Sequence, residues 1–293
     1  MRTSKQKVFP IGDGILKVAL EDAWSVKLHE MVLPDFIRNL KASIVQDGIV
    51  KDPIVIDGET LVVLDGMHRV VALRELGYSY VPCCLIDYKL PEVQLGAWYR
   101  LITGGTSAAQ LVKLVQSTSS DLILTEADFD NFDEIVEKEK PLGAILNSNR
   151  AWLVTTKKSL GCKEEYDVIY EIEGKLRSTN LKITYQTESD AKAQIQNDKS
   201  ATCLVVPTLT KDDVLRVALK GEVFAPKATR HVFPFRILGL NVPLELLDAK
   251  RNKLTEANEK LQRVLSSRRL VKLPGGQLVN GRRYEEPIYI FED

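Results

Sequence analysis

The sequence lacks an excess of charge of either sign. Forty lysines and arginines are balanced by forty aspartates and glutamates over 293 residues. Proteins that bind nucleic acid through their overall electrostatic field usually carry a clear basic excess. The balance therefore argues against DNA or RNA as a partner.

Long apolar runs are also missing. No stretch approaches the ~18 consecutive apolar residues that suggest a membrane span. The N-terminal segment MRTSKQKVFP has none of the apolar core of a signal peptide. We therefore expect a cytoplasmic protein that does not associate with membranes.

Cysteine is scarce, with four residues scattered along the chain. Cys83 and Cys84 are neighbours in a predicted strand, so their side chains point to opposite faces. This arrangement predicts neither a disulfide framework nor a zinc cluster. We interpret all four cysteines as small core residues.

What the chain does contain is the composition of a soluble globular protein, with 44% hydrophobic and 27% charged residues. Its length suits two domains. Predicted strands and helices alternate, which indicates a mixed α/β (α+β) fold. The stretch Gly104-Gly105-Thr106-Ser107 resembles a linker, so we predict an N-terminal domain of residues 1–103 and a C-terminal domain of residues 104–293.

The most informative stretch runs from Thr60 to Tyr88. Leu61–Leu64 predicts a buried strand, Asp65-Gly66 a tight turn, and the residues up to Gly77 a helix that ends at a C′ glycine. A second buried strand, Val81–Ile86, follows. The backbone N–H groups at a helix start lack intrahelical partners and the helix dipole is positive there, so this turn predicts a phosphate-binding site.

Further helices follow from apolar spacing and from helix start and stop signals. Pro34 begins the first, and the apolar residues at positions 36, 37, 40, 44 and 45 predict a face turned toward a core before Gly48 ends it. The other predicted helices are Ala108–Gln116, Asp128–Lys138, Lys163–Leu176, Asp190–Asn197, Lys211–Lys220 and Lys250–Val264. Strands are predicted at Ile15–Leu20, Pro53–Asp57, Ala151–Thr155 and Thr202–Val206, with a β-like segment at the end of the chain.

Four motifs together resemble the ParB/sulfiredoxin superfamily, and within it the free L-serine kinases. They are His29-Glu30 before Pro34, DGIVKDPIVID (Asp47–Asp57), LDGMHR (Leu64–Arg69), and TRH with NVPLELL between Thr229 and Leu247. The resemblance implies a ParB/sulfiredoxin-like nucleotide-binding domain. It also implies transfer of a phosphoryl group from ADP or ATP to free serine, with Mg²⁺ as cofactor.

The same resemblance assigns roles to individual residues. It implies that Glu30 is the catalytic base and that Asp65 lies beside the phosphates and the metal. Phosphoryl transfer needs such groups, because its catalysis is mostly positioning and charge neutralisation. The remaining implied contacts are with the nucleotide, through Ser43, Gly66, Met67, His68 and Arg69, and with serine, through Trp98, Thr229 and His231.

Taken singly, each of these features has an ordinary structural interpretation. His29-Glu30 is also typical of a solvated loop, and Asp65 of a helix N-cap. His68-Arg69 is compatible with surface charge, Trp98 with a core position, and the cluster from Thr229 to Arg236 with a polar strand edge. The joint occurrence of the motifs in one order favours the kinase.

Other functions of the superfamily fit less well. A ParB-type partition protein needs a DNA-binding segment, and the chain after Thr106 has neither a basic excess nor a clear helix-turn-helix. A sulfiredoxin needs a cysteine where this chain has Met67. A nucleotide-binding regulator without kinase activity stays as the alternative.

The sequence leaves several points open, namely the choice between ADP and ATP, the oligomeric state and the pathway. Phosphoserine is compatible with cysteine synthesis or with a siderophore precursor. Because free serine is small and groups must converge on it from several sides, we predict an active site in a cleft between the two domains.

Overall fold

The computed structural model describes residues 8–179, 181–279 and 281–292. Helices and strands alternate along most of this length, which confirms the predicted mixed α/β class. The α-helices of the described residues are α1 (Pro34–Asp47), α2 (Met67–Glu75), α3 (Ala108–Gln116), α4 (Phe132–Glu139), α5 (Cys162–Arg177), α6 (Glu188–Asn197), α7 (Lys211–Leu219) and α8 (Leu254–Ser267).

The strands are short, and most are buried on at least one face. Those of the first hundred or so residues are β1 (Phe9–Ile11), β2 (Leu16–Asp22), β3 (Ile49–Val50), β4 (Ile54–Asp57), β5 (Val63–Asp65), β6 (Tyr80–Ile86), β7 (Gln94–Gly96) and β8 (Tyr99–Thr103). Those that follow are β9 (Leu122–Ala127), β10 (Gly143–Leu146), β11 (Ala151–Thr156), β12 (Lys182–Gln186), β13 (Thr202–Val205), β14 (Arg230–Val232), β15 (Arg236–Leu238), β16 (Val242–Pro243), β17 (Arg269–Leu273), β18 (Leu278–Val279), β19 (Arg282–Arg283) and β20 (Ile288–Glu292).

Contacts divide the chain into two compact units. The first comprises the described residues up to Gln94, Val214–Val223, and those from His231 onward; the second comprises Leu95–Asp213 and Phe224–Arg230. The sequence instead predicts a single boundary between residues 103 and 104. The difference arises because β8, which precedes that point, pairs with β12 on one side and β13 on the other.

The first unit contains a sheet with the strand order β1-β2-β6-β4-β5. Its β4 and β6 are parallel, and every residue of β6 is buried. Helix α8 is bound to this sheet by a buried amide, since Leu20 N donates to Asn258 Oδ1 at 2.7 Å and Asn258 Nδ2 donates to the Leu20 carbonyl at 3.0 Å. The C-terminal helix is therefore part of the same core as an N-terminal strand.

A second, smaller sheet of the first unit has the order β15-β20-β17. Strand β15 is parallel to β20, which is antiparallel to β17. Strand β16 pairs antiparallel with β3, the strand that follows α1 in the sequence. The pairing of β16 with β3 brings residues beyond 230 next to elements formed by the first hundred residues.

The second unit contains a sheet with the order β12-β8-β13-β10-β11-β9. Leu101, Ala144 and Cys203 belong to its buried core, against which α4 and α6 pack through Phe132 and Ile195. The sequence predicts two of these strands, β11 and β13, with bounds close to those observed. The other strands of this sheet are not among the predicted elements.

Several predicted elements need correction. In α1, Ile37 and Ile44 are buried, whereas Phe36 and Val45 are 63% and 59% exposed, so the core-facing stripe is narrower than the apolar pattern predicts. Helix α4 begins at Phe132 because Asp128 accepts bonds from the Asp130 amide and the Asn131 side chain and forms a turn.

Asp248 has the same effect before α8. It accepts bonds from the amides of Lys250 and Arg251, through its side chain and its carbonyl respectively, so the helix starts at Leu254 and not at residue 250. Aspartate favours such turns because its side chain bonds to the backbone two residues on.

The cysteines are mostly core residues, as predicted. Cys83, Cys84 and Cys203 are buried, whereas Cys162 is only partly buried at the start of α5. Burial raises the pKa of the Cys203 thiol to about 12. No helix in the described ranges combines the length and the hydropathy that a membrane span requires.

Candidate active site

The predicted phosphate site lies where β5 ends and α2 begins, in the first unit. Gly66 is the N-cap residue of α2 and has a left-handed backbone with φ of 93°. A Cβ at this position would lie 2.6 Å from Arg69 Nη2 and 2.7 Å from Ile54 Cγ2. Both the backbone and the surroundings therefore require glycine. The interpretation of Asp65 as the N-cap is wrong, because Gly66 occupies that position.

Asp65 lies between two arginines. Arg236 Nη1 donates to Asp65 Oδ2 at 2.7 Å, and Arg69 Nη2 is 3.5 Å from the same oxygen. Arg236 also forms an ion pair with Glu286. The Nε of Arg69 is buried and has no hydrogen-bond partner among the described residues. One carboxylate thus faces two cations, one of which retains an unused donor.

His29 and Glu30 are buried, with relative exposures of 0% and 7%. The solvated-loop interpretation of this pair is therefore wrong. His29 Nδ1 lies 2.6 Å from the Val63 carbonyl oxygen, which can only accept, so Nδ1 carries the proton. Burial lowers the pKa of His29 despite the nearby carboxylates of Glu30 and Asp65, which raise it. The imidazole is neutral, and its Nε2 is 4.0 Å from Glu30 Oε1.

His231 lies beside this pair in the first unit. Its ring meets the His29 ring edge-on at 5.4 Å and stacks on Phe233 at 5.9 Å. Its Nε2 is 2.8 Å from the Tyr88 hydroxyl, and the Tyr88 amide donates to buried Asp57 at 3.1 Å. The structure therefore brings together His29, Glu30 and His231, which are far apart in the sequence.

The remaining nucleotide residues lie on α1 and α2. His68 Nε2 accepts a hydrogen bond from the Leu33 amide at 3.0 Å, and the Phe36 ring lies 5.7 Å from the His68 ring. Met67 is partly buried at the start of α2. Ser43 is exposed on α1 and donates to Asp47 at 3.0 Å. Its predicted contact with the nucleotide stays a prediction.

Trp98 and Thr229 belong to the second unit. Trp98 is partly buried, with Lys227 Nζ at 5.4 Å and the Arg230 guanidinium at 5.9 Å from its ring. Thr229 is buried at 7% exposure. The core interpretation of Trp98 does not fit a partly exposed ring with two cations near it. The contacts of Trp98 and Thr229 with serine stay predictions.

Comparison with known proteins finds relatives that are L-serine kinases, among them the following two. The ATP-dependent L-serine kinase of Staphylothermus marinus is 29% identical over 229 residues, which cover 75% of this chain and 86% of the relative. The ADP-dependent L-serine kinase of Thermococcus kodakarensis is 26% identical over 235 residues, with 76% and 89% covered. The resemblance to free L-serine kinases is confirmed. No family model matches the chain.

A solved structure of a free serine kinase in complex with AMP has the same fold. It superposes with a TM-score of 0.65 at 21% identity, covering 84% of this chain and 97% of that chain. The match includes both units, because neither alone reaches this coverage. The structural comparison thus agrees with the mixed α/β fold predicted from the sequence.

Among the described residues, no group of three or more histidine, cysteine, aspartate and glutamate side chains could hold a metal by itself. Mg²⁺ in phosphoryl-transfer sites is usually bound through one or two carboxylates together with the substrate phosphates and water. The position of Asp65 beside the start of α2 fits that donor set. The magnesium prediction therefore needs no larger cluster.

Two residues of this site are not identified by the sequence motifs. Arg236 belongs to the cluster after Thr229, but its pairing with Asp65 spans 171 positions. Glu286 lies in the C-terminal segment, where no motif points to it. A buried arginine is almost always paired, but the sequence alone does not identify the partners.

Proposed function

We propose that this protein is a free L-serine kinase that transfers a phosphoryl group from ADP or ATP to the serine hydroxyl and forms O-phospho-L-serine. The observation that supports it most directly is Asp65, beside two arginines at a helix start where Gly66 leaves no space for a side chain. Relatives that use ATP and relatives that use ADP are about equally similar, so both donors are included.

The phosphates would bind at the start of α2. The first amides of a helix have no acceptor in a preceding turn, and the helix dipole favours an anion at that end. Arg69 adds a guanidinium whose Nε has no partner among the described residues. A guanidinium is suited to phosphate because it can donate two parallel hydrogen bonds. Gly66, Met67 and His68 would complete this site, and Ser43 would contact the nucleotide from α1.

Glu30 would act as the base toward the serine hydroxyl. Its proton acceptance converts the hydroxyl into a better nucleophile as the oxygen approaches the phosphorus atom. Neutral His29 favours this role, because its unprotonated Nε2 faces Glu30 and does not add a positive charge that would make the carboxylate less basic. The burial of Glu30 keeps bulk water away from the reacting proton.

Asp65 would hold Mg²⁺, which supplies charge neutralisation on the phosphates when bound. The serine would be recognised by Trp98, Thr229 and His231. Of these, His231 has its ring edge against His29 and its Nε2 at the Tyr88 hydroxyl, so its orientation is fixed from two sides. O-Phospho-L-serine is compatible with cysteine synthesis or with a siderophore precursor, and the sequence leaves the pathway open.

The test is product analysis by ³¹P NMR after incubation with L-serine, Mg²⁺ and either ADP or ATP. We expect a phosphomonoester signal that coincides with added O-phospho-L-serine and depends on serine. Glu30→Gln serves as the matched control for a contaminating kinase. Nucleotide binding without any phosphoserine would contradict the proposal and would support the alternative of a nucleotide-binding regulator.

A further inference from the structure

The two arginines beside Asp65 compete for the same oxygen atom. Asp65 Oδ2 is 2.7 Å from Arg236 Nη1 but 3.5 Å from Arg69 Nη2. The shorter contact is a hydrogen bond, whereas the longer one lies outside the usual range for a charge-assisted bond. Of the two arginines, Arg236 therefore holds Asp65 more tightly.

Arg236 is well suited to hold a carboxylate in one position. Its side chain is 9% exposed, its Nε pairs with Glu286, and its guanidinium lies 5.0 Å from the centre of the Phe233 ring. Its backbone amide donates to the Pro287 carbonyl at 2.9 Å, at the point where β15 meets β20. The guanidinium is thus held by Asp65, by Glu286 and by the Phe233 ring.

Arg69, in contrast, is only loosely bound. Its contact with Asp65 is long, and its buried Nε has no partner among the described residues. Leaving a buried guanidinium nitrogen without a partner is unfavourable, since the lost solvation of a charged donor is not replaced. Such a group gains most from a ligand that supplies the missing acceptor.

We infer that Arg236, anchored by Glu286, is a positioning residue that binds Oδ2 of the Asp65 carboxylate and so keeps Arg69 available for the nucleotide phosphates, while Asp65 Oδ1 is left for the metal. The inference rests on the proposed function, because it takes the start of α2 as the phosphate site. The inference adds that phosphate binding at this site depends on the C-terminal segment, because that segment supplies Glu286. Without Arg236, the nearest cation for Asp65 is Arg69, which would rotate onto the carboxylate.

A double-mutant cycle tests this coupling through ADP affinity, measured by calorimetry without Mg²⁺ and without serine. Arg69→Ala is expected to weaken ADP binding about 10- to 100-fold, the usual effect of losing a bond to a charged group. Arg236→Gln is expected to weaken it about tenfold, on the same scale. The double variant should bind ADP within about twofold of Arg69→Ala. Arg236 acts on ADP binding through Arg69, so its loss has no further effect once Arg69 is absent.

The control is Arg268→Gln. Arg268 also lies in the C-terminal part of the first unit, where it donates to the Leu240 and Phe291 carbonyls and its guanidinium lies over the Phe291 ring. This substitution weakens the same sheet but leaves the Arg236 bond to Asp65 in place. We therefore expect its ADP affinity to stay within about twofold of the wild type. An equal loss in Arg268→Gln would overturn the inference, as would losses that multiply in the double variant.

A measurement on the unmodified protein covers the case in which Arg236→Gln does not fold. The Nε–H signals of arginine can be followed by ¹⁵N NMR during titration with ADP. We expect the Arg69 signal to shift strongly and the Arg236 signal to stay at its initial position. A shift of Arg236 with no shift of Arg69 would overturn the inference.

These outcomes separate the inference from the proposed function. If the intact protein binds ADP but the losses of affinity in Arg69→Ala and Arg236→Gln multiply in the double variant, only the inference is contradicted. The proposed function is tested separately, by phosphoserine formation. A failure of the intact protein to bind either ADP or ATP contradicts both.

Discussion

At the scale of single residues, the site combines a neutral imidazole with a carboxylate that must accept a proton. His29 uses its only proton on the Val63 carbonyl, so it cannot donate to Glu30. A donated hydrogen bond would stabilise the ionised carboxylate and reduce its basicity. The tautomer of one histidine therefore favours the function proposed for its neighbour.

Glu30→Gln is expected to lower kcat about 100-fold or more, the usual contribution of a positioned base being about 10²–10⁴. The affinity for ADP should stay nearly unchanged, because Glu30 acts on the hydroxyl and not on the phosphates. Steady-state kinetics at saturating serine and calorimetry with ADP check both parts. Glu245→Gln, at an exposed position, is the control. Near-normal turnover in Glu30→Gln would remove Glu30 from this role.

His29 should also make the stability depend on pH. Its pKa is lowered in the folded protein by burial, whereas in the unfolded chain it is near 6.5. Below pH ~6.5 the unfolded state binds a proton that the folded state does not, so the free energy of unfolding falls as pH decreases, by at most about 1.4 kcal/mol per pH unit. Above that pH this contribution is fully present.

Urea unfolding of the wild type and of His29→Gln between about pH 5 and pH 8, the range in which histidine titrates, checks this expectation. The variant should show a shallower fall in unfolding free energy toward acid pH, whatever its stability at the alkaline end. Identical slopes for the two proteins would mean that another group causes the acid destabilisation.

At the scale of elements, helix α2 has a left-handed glycine at each end, but the two glycines have different surroundings. Gly66 has φ of 93° and no space for a Cβ, whereas Gly77 has φ of 82° and nothing within 4 Å of the position that a methyl group would occupy. A side chain at Gly77 would therefore cost only the strain of a left-handed backbone, whereas one at Gly66 would add a steric clash.

Gly77→Ala is expected to destabilise the protein by about 1–2 kcal/mol, the cost of a left-handed L-residue, without changing ADP affinity. Gly66→Ala should destabilise it more and also weaken ADP binding by about tenfold or more, because the methyl group displaces Arg69. Thermal unfolding and calorimetry measure the two effects. Equal results for both variants would contradict the role of Gly66 in placing Arg69.

The sequence predicts elements best where local signals set both ends. Pro34 and Gly48 bound α1, and Gly77 follows α2, as expected. The strands β9, β10 and β12 are not predicted, because segments of only four to six residues carry little local signal. Their formation depends on neighbours in the sheet, as Ile145 of β10 pairs with both Trp152 and Leu204.

At the scale of the whole chain, the first unit is assembled from three separate segments. The sequence suggests a boundary at Gly104-Gly105, but these glycines have φ of 124° and 82° and form the turn between β8 and α3. A glycine pair is typical of linkers and of turns alike. Only the strand pairing on both sides of β8 distinguishes the two, and that information is not local.

This assembly predicts how fragments of the protein behave. A fragment of residues 1–103 lacks Asn258, which binds both backbone groups of Leu20, and Val242, which pairs with Val50. It also leaves Tyr80 without the Asn252 carbonyl that accepts from its hydroxyl at 3.0 Å. We expect this fragment to show no cooperative thermal unfolding and poor dispersion in ¹H–¹⁵N NMR spectra.

A fragment of residues 95–213 should behave differently, because it contains every strand of the sheet β12-β8-β13-β10-β11-β9. It also keeps the buried ion pair between Arg100 and Glu173 at 2.6 Å. It loses the bond from the Tyr166 hydroxyl to the Ala228 carbonyl but keeps the one to Pro207, so we expect a cooperative transition at a lower temperature than in the intact protein. Cooperative unfolding of 1–103 together with an unfolded 95–213 would show that strand pairing across residue 103 is not what holds the second unit together.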